Sequence, residues 1–178
     1  MYLKATVRKL TNFNLVLDTN EMTSGKKSSQ SEISAYKAEH STIRTQIYYI
    51  KCYDVPTFVM GHYVRHHIGV EKYVRSQRAD RGGSKNSDRM TPTDFSLCLN
   101  AQSIINIMRA RLCNKASKET RQLAHLIRNE ILNIDYHLGC VLVPNCVYRN
   151  GICPEPKSCG KVKEYLDGKY AYYRGLFE

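Results

Sequence analysis

The chain has 178 residues, enough for one domain with a sizeable core but too few for two comfortable ones. Its 27 Lys and Arg exceed its 16 Asp and Glu, and 27 − 16 gives a net charge of +11, which favours phosphorylated ligands, nucleic acid or an acidic partner. No run of about 18 apolar residues and no signal-peptide pattern is present, which argues against a membrane span and predicts a soluble, cytoplasmic protein.

The first third of the chain predicts a small sheet. Residues 2–10 and 14–18 are expected to form two short strands joined by a turn. Residues 19–41 are polar around a Ser-Gly-Lys core and are predicted to be a loop, a lid or a partly disordered segment. Residues 43–55 alternate β-branched and aromatic residues with polar ones, which predicts a strand with one buried face.

A helix is predicted next, over residues 56–67. Asp54 is expected to end the strand and to cap this helix, with Pro56 in the first turn, where its missing N–H costs nothing. Three polar residues should project from one side of the helix, within one turn of each other: His62, Arg65 and His66. Residues 78–93 combine Gly, Ser, Asn and Pro with alternating charge and predict a mobile loop.

Two further helices and a loop-rich tail complete the chain. Apolar residues recur every three or four positions over residues 94–112, and Ser117 is a suitable N-cap for a helix over residues 117–132. Asn100 and Asn106 on the first of these helices are expected to be buried and to need polar partners. The pattern predicts an α+β fold in which a small mixed or antiparallel sheet packs against long helices. It also predicts one domain over residues 1–178, with a cysteine-containing tail at residues 140–161.

The segment RHHIGVEKYVRSQRADR, residues 65–81, concentrates arginines. The guanidinium fork suits phosphate because it donates two parallel charge-assisted hydrogen bonds, and four such groups occur here: Arg65, Arg75, Arg78 and Arg81. A phosphorylated ligand is one interpretation of the composition. A basic surface that binds nucleic acid without specificity is the other.

Two ordered motifs resemble the flavin-dependent thymidylate synthase family. VPTFVMGHYVRHHIGVEKYVRSQR, residues 55–78, resembles its signature of Arg-His-Arg, seven residues, Ser and a further Arg two positions on. LNAQSIINIMRARLCNKASKETRQLA, residues 99–124, resembles its Asn-Ala-Arg-Ser helix start and the Ala-Gln-x-Glu-Ile-Arg segment that follows. With a cysteine-containing end, the resemblance covers residues 55–161.

The resemblance implies a homotetramer with active sites at subunit interfaces. FAD would be reduced by NADPH and would relay a one-carbon unit from methylenetetrahydrofolate to C5 of dUMP, so the enzyme would be a thymidylate synthase-like methyltransferase without a cysteine nucleophile. Two divergent forms of the same fold remain open: a pyrimidine nucleotide hydroxymethylase and a flavin-less nucleotide-binding relative. A basic nucleic-acid-binding protein is the alternative of another class, and the resemblance makes it the less favoured one.

The resemblance also assigns roles to particular residues. Catalytic positions match Arg65 and Arg111. Substrate-binding positions match His62, Arg65, Ser76, Arg78, Arg89 and Arg111. Cofactor-binding positions match Arg65, His66, His67, Asn100, Gln102 and Asn106. The chain departs from the family where His67 and Gln102 replace arginines and where eight residues, not seven, precede Ser76.

Seven cysteines without a secretion signal argue against a disulfide framework. Four of them lie in the tail and form a candidate zinc site: Cys140, Cys146, Cys153 and Cys159. Reduced thiols in a packed tail are the alternative, since no Cys-x-x-Cys pair is present. Cys52, Cys98 and Cys113 are predicted to be core residues.

Overall fold

A computed structural model of the chain describes residues 2–83 and 88–176. Its centre is an antiparallel sheet with the strand order β1-β2-β4-β3. The strands are β1 (Lys4–Lys9), β2 (Ile47–Pro56), β3 (Val70–Val74) and β4 (Pro92–Asn100). Alternate residues of β2 and β4 are buried, so one face of the sheet is covered. The strands predicted within residues 2–10 and 43–55 are confirmed.

Helices and helical turns connect the strands and follow the sheet in the chain. They are α1 (Asn14–Ser24), α2 (Glu32–Ala38), α3 (Thr57–Val64), α4 (Ala101–Arg111), α5 (Lys118–Ile134), α6 (Tyr136–Val141), α7 (Asn145–Tyr148), α8 (Val162–Glu164) and α9 (Tyr172–Gly175). Short 3-10 turns occur at Ser41–Thr45 and Ala79–Arg81, and a π-helical turn at Tyr165–Lys169. The predicted α+β fold is confirmed. None of the described helices is long and apolar enough to cross a bilayer.

Helix α5 was predicted closely by its local signals. The Ser117 hydroxyl accepts a hydrogen bond from the Thr120 N–H at 3.2 Å, which satisfies one of the free donors at the helix start. The apolar stripe Leu123, Ile127 and Ile131 is fully buried in the main core. This helix therefore lies across the covered face of the sheet.

The prediction for the segment between β1 and β2 is wrong. Residues 14–18 belong to α1 rather than to a strand, and Glu32–Ala38 of the expected loop is helical. Val16 and Tyr36 are fully buried, so core contacts stabilise two helices that the polar composition conceals. The left-handed residue Gly25, with φ of 67°, ends α1.

The entrance to α3 also differs from the prediction. Asp54 neither ends β2 nor caps α3. It has φ of 53° within a register shift between Cys52 and Val55, so it lies in a β-bulge. Pro56 occupies the N-cap position of α3 without a side-chain cap, and the helix ends at Val64 rather than at residue 67.

Residues 94–100, predicted as the start of a helix, form most of β4. Phe95, Leu97 and Leu99 are buried while the residues between them are partly exposed, which is the period of two of a strand. Helix α4 begins only at Ala101. The loop predicted over residues 78–93 lies partly outside the described residues, and its described flanks hold the turn Ala79–Arg81 and the start of β4.

A buried carboxylate joins the sheet to the helices. Asp135, between α5 and α6, accepts hydrogen bonds on Oδ2 from Lys9 Nζ at 2.6 Å, the Tyr36 hydroxyl at 2.8 Å and the Tyr48 hydroxyl at 2.6 Å. Its Oδ1 accepts from the Leu138 N–H at 3.0 Å and so caps α6. Burial disfavours the ionised carboxyl, but these donors outweigh it and hold the pKa of Asp135 below its ordinary value.

The C-terminal part, predicted to be loop-rich, contains short helices around a second apolar cluster. Its buried members are Val143, Cys146, Val147, Leu166, Tyr170 and Tyr173. Leu176 packs against both this cluster and the main core. Tyr170 and Tyr173 near the C-terminus therefore contribute to the chain's own core. The limits of one domain over residues 1–178 stay a prediction.

Candidate functional site

The end of α3 carries the motif residues and is firmly anchored. Val59 and Tyr63 are fully buried, and the Tyr63 hydroxyl donates to the Thr120 carbonyl at 3.1 Å. Helix α3 is thereby fixed against the start of α5. Arg65, at the C-cap of α3, is exposed, and the chain turns back into β3 through Gly69.

Gly69 is required at that turn. Its φ is 65°, and a Cβ at this position would lie 2.2 Å from Asn100 Nδ2 and 2.8 Å from Ser103 Oγ. Ser103, which is buried, donates from its hydroxyl to the Ile68 carbonyl at 2.7 Å. The close approach thus holds the motif turn directly against the start of α4.

Arg111, at the end of α4, brings two motif histidines together. Its Nη2 donates to the His62 carbonyl at 2.7 Å and lies 3.1 Å from His66 Nε2. Because Arg111 can only donate, the neutral His66 ring accepts this bond on Nε2. Arg111 Nε is buried without a hydrogen-bond partner among the described residues.

Both histidines are held neutral at physiological pH. Burial, followed by the positive charges of Arg111, Arg65 and Arg89, lowers the pKa of His62. Burial and the charges of Arg111, His67 and Lys72 likewise lower the pKa of His66. The imidazoles therefore act here as neutral hydrogen-bonding groups rather than as cations.

The surrounding arginines are not neutralised by the protein. No ion pair among the described residues includes Arg65, Arg89 or Arg111. Arg89 lies over the Phe58 ring, 4.7 Å from its centroid, and this contact leaves its charge in place. Three unpaired guanidinium groups that act on one histidine favour an anionic ligand.

Thr120 is a residue that the sequence motifs did not single out. It is fully buried, and its hydroxyl lies 2.9 Å from His62 Nδ1 and 2.9 Å from the Ser117 hydroxyl. These contacts fix the orientation of the His62 ring from the start of α5. Only the N-cap pattern at Ser117 hinted at this position, and that pattern says nothing about His62.

The predicted phosphate contacts after β3 lie on an exposed loop. Ser76 Oγ accepts from the Arg78 N–H at 3.3 Å. The Arg78 guanidinium makes two bonds of 2.9 Å to Asp80, with both side chains mostly exposed. Because an exposed ion pair contributes only about 0–1 kcal/mol, Arg78 can exchange this partner for a phosphate at little cost.

The α4 residues predicted to contact the cofactor stand in three different surroundings. Asn100 is half-buried and is the N-cap of α4, accepting from the Ser103 N–H at 2.9 Å. Gln102 donates to Glu39 at 2.6 Å. Asn106 is exposed. The expectation that Asn100 and Asn106 are buried is therefore wrong. His67 is exposed, and its Nδ1 lies 2.6 Å from Lys72 Nζ.

The two arginines near the end of α4 have different surroundings. Arg109 forms an ion pair with Glu39, and its guanidinium lies 3.4 Å from the centroid of the Tyr148 ring. These contacts tie α4 to α2 and α7. Arg111 faces the motif histidines instead, so it is the arginine of this helix that is placed for a ligand.

The predicted zinc quartet does not assemble. Cys140 is buried in α6, apart from the cavity that Cys146, Cys153 and Cys159 line. Across residues 2–83 and 88–176, no three His, Cys, Asp or Glu side chains form a ready-made metal site. Of the predicted core cysteines, Cys52 is buried, whereas Cys98 and Cys113 are only partly so.

Comparison with known proteins identifies the fold. No family model matches the chain. A stretch of 73 residues, 40% of the chain, is 37% identical to the flavin-dependent thymidylate synthase of Clostridium tetani (strain Massachusetts / E88), and the match spans 28% of that enzyme's length.

Two solved structures share the fold. Thymidylate synthase X from Helicobacter pylori, crystallised with FAD and dUMP, superposes with a TM-score of 0.64 at 13% identity over 79% of this chain and 99% of its own. The UMP/dUMP methylase PolB from Streptomyces cacaoi, bound with 5-Br dUMP, superposes with a TM-score of 0.62 at 9% identity. The match covers 79% of this chain and 94% of PolB.

The chain thus has the α+β fold of these nucleotide-binding enzymes. The flavin-dependent thymidylate synthase resemblance read from its motifs is confirmed by the sequence match and the shared fold.

Proposed function

We propose that the protein transfers a one-carbon unit to C5 of dUMP, with FAD as cofactor and with NADPH and methylenetetrahydrofolate as co-substrates. The observation that carries this proposal is the cluster of arginines around His62, none of them ion-paired among the described residues. Arg111 donates to the His62 carbonyl, Arg89 lies over the Phe58 ring that contacts His62 edge-on, and Arg65 is the C-cap of the same helix. A nucleotide phosphate and the anionic groups of FAD are the ligands that such a cluster suits.

The chain's own residues fit a flavin nucleotide. The exposed Arg65 and the Arg111 guanidinium offer donors. The amides of Asn100 and Gln102, near the start of α4, would exchange their present partners Ser103 and Glu39 for the cofactor. FAD supplies the hydride chemistry when it is bound. The protein itself binds, orients and stabilises charge.

Within this proposal, Arg65 and Arg78 bind the nucleotide phosphate and Ser76 orients it. Arg111 stabilises negative charge that develops on the pyrimidine or flavin edge. His62, oriented by Thr120, and the neutral His66 donate or accept hydrogen bonds without adding charge. No cysteine serves as a nucleophile. Cys98 lies on β4, and burial raises the pKa of the Cys113 thiol, which disfavours its reactive thiolate.

The proposal is tested on protein purified without added cofactor. We expect an oxidised-flavin absorption spectrum, binding of dUMP in calorimetry, and release of hydrogen from C5-labelled dUMP when FAD, NADPH and methylenetetrahydrofolate are present. Arg78→Ala should weaken dUMP binding by about 1.5–3 kcal/mol, because it removes a charge-assisted bond. Arg75→Ala is the matched control, since Arg75 pairs with Asp94 in the same segment and matches no family position.

Other outcomes distinguish the alternatives. Binding of dUMP without any bound flavin would identify a flavin-less relative, and a hydroxymethylated product would identify a hydroxymethylase. Binding of single-stranded DNA or RNA with no response to dUMP or FAD would overturn the proposal in favour of a nucleic-acid-binding protein. Unchanged dUMP affinity in Arg78→Ala would remove that residue from the site.

We also propose that the site is completed by further copies of the chain in a homotetramer. Arg65 and Asn106 are exposed at the candidate site, and the apolar Ile68 beside them is 90% exposed. An apolar residue this open within a binding motif suits an interface between subunits. Sedimentation analysis should give a tetramer, and a monomer that retains full activity would contradict this arrangement.

A further inference from the structure

Four of the seven cysteines line one cavity of about 310 Å³ beyond the end of α4. They come from three separate parts of the chain: Cys113 just after α4, Cys146 in α7, and Cys153 and Cys159 in the loop before α8. Cys113 and Cys146 are 33 positions apart, so no local sequence pattern unites them. We propose that Cys113, Cys146, Cys153 and Cys159 bind one thiophilic divalent cation, of which zinc is the most suitable.

The four thiols line the same cavity, so they would repel one another as thiolates. A bound cation removes that repulsion. Binding replaces four S–H protons by four metal–sulfur bonds and releases the protons to solvent.

The immediate surroundings suit thiolates. The Lys115 backbone donates a hydrogen bond to the Cys113 sulfur, and the Val147 backbone donates to that of Cys146, so two of the four sulfur atoms are held in position. Lys115 also lines the cavity and offsets part of the negative charge that four thiolates leave around one divalent ion, while Glu155 is the acidic group of the lining.

Left-handed turns shape the tail around the cavity. The Gly151 N–H donates to the Cys146 carbonyl at 2.8 Å, and Gly151 has φ of 98°. Gly160, with φ of 77°, follows Cys159 directly. The turn at Gly151 reverses the chain between Cys146 and Cys153, and the turn at Gly160 redirects it after Cys159. Since no ready-made site exists among the described residues, the bound ion must draw the four sulfur atoms inward.

The choice of Cys113 instead of Cys140 makes the proposal specific. Cys140 belongs to α6, where its carbonyl accepts from the Tyr172 hydroxyl at 3.1 Å. Cys113 lies two positions after Arg111, so the ion would fix the end of α4 next to the candidate nucleotide site. The metal proposal itself does not depend on the proposed enzymatic function.

The test measures zinc in the full chain after reconstitution with zinc under reducing conditions and removal of unbound metal. We expect about one zinc per chain in the wild type and in Cys140→Ser, and almost none in Cys113→Ser. Retention of zinc by Cys113→Ser together with its loss in Cys140→Ser would overturn the inference. A wild-type chain that binds no zinc would overturn it as well.

A second measurement uses only the wild-type chain, so it is independent of whether the cysteine variants fold. The wild-type chain is treated with iodoacetamide, with and without prior chelation, and the labelled cysteines are identified by mass spectrometry. Zinc should protect the partly exposed Cys113, Cys153 and Cys159 together, and chelation should make all three reactive, while the partly exposed Cys98 reacts in both cases. Labelling of the three cysteines regardless of chelation, or their recovery as disulfides, would contradict a metal site.

Discussion

Replacing Arg111 by methionine is expected to lower the rate of hydrogen release from C5 of dUMP by about 10²–10³-fold, the range for losing one preorganised charge-stabilising donor. The substitution removes the bond to the His62 carbonyl, the contact with His66 and the buried Nε that has no partner among the described residues. Methionine keeps most of the stem volume, so the loss is mainly one of charge and hydrogen bonding.

The same variant has a readout that does not depend on turnover. Because the charge of Arg111 contributes to lowering the pKa values of His62 and His66, Arg111→Met should raise both, as followed by NMR titration of the imidazole C–H signals. Arg111→Lys should keep the histidine pKa values low and lose only part of the activity, since lysine retains the charge but not the planar fork.

A surface arginine provides the control for charge alone. Arg8→Met removes a guanidinium that lies over the Tyr49 ring on the sheet and should leave both histidines and the rate unchanged. If Arg111→Met kept full activity and unshifted histidine pKa values, Arg111 would have no part in the site.

Replacing Asp135 by alanine is expected to lower the free energy of unfolding by about 3–5 kcal/mol, measured by urea denaturation. The change leaves the Lys9 ammonium and the two buried hydroxyls of Tyr36 and Tyr48 without their hydrogen-bond acceptor. It also removes the side-chain cap of α6. Glu164→Ala is the matched control, because its pair with Lys161 is exposed and screened by solvent and should contribute little to stability. Equal effects in the two variants would show that the buried network is not a major source of stability.

The pH dependence of that loss has a definite sign. The pKa of Asp135 is lower in the folded chain than the ordinary value of about 3.9 for an unfolded one. Its contribution is therefore complete above that unfolded value and is lost as the pH falls through the folded one. The difference in stability between the wild type and Asp135→Ala should accordingly narrow only in acid, below about pH 4.

The histidines act in a different pH window. Their folded pKa values lie below the ordinary value of about 6.5, so unfolded chains bind protons first as the pH falls. The folded chain then loses stability between about pH 6.5 and the lower folded values. Arg111→Met should reduce this loss because it raises those folded values.

Local patterns predicted part of the fold and failed where periodicity is ambiguous. The predictions of strand β2 and helix α5 are confirmed. The alternation of buried and exposed residues follows from the period of a strand, and an N-cap followed by an apolar stripe follows from the geometry of a helix. Residues 94–100 were assigned to a helix because their apolar positions continue the spacing of α4, although the strand period of two fits them equally. Helices α1 and α2 were missed since packing of Val16 and Tyr36 overrides a polar composition.

The sequence by itself determined the family resemblance, the α+β class and the concentration of arginines after α3. Only the tertiary structure decided which distant groups meet. Arg111 reaches His62 and His66 across 49 and 45 positions, and Asp135 collects hydroxyls from 99 and 87 positions away. The tertiary structure also shows that Cys113, rather than the predicted Cys140, lines the cavity with the other three cysteines. Such contacts depend on how helices pack across a sheet, and the period of a helix or strand carries no information about that packing.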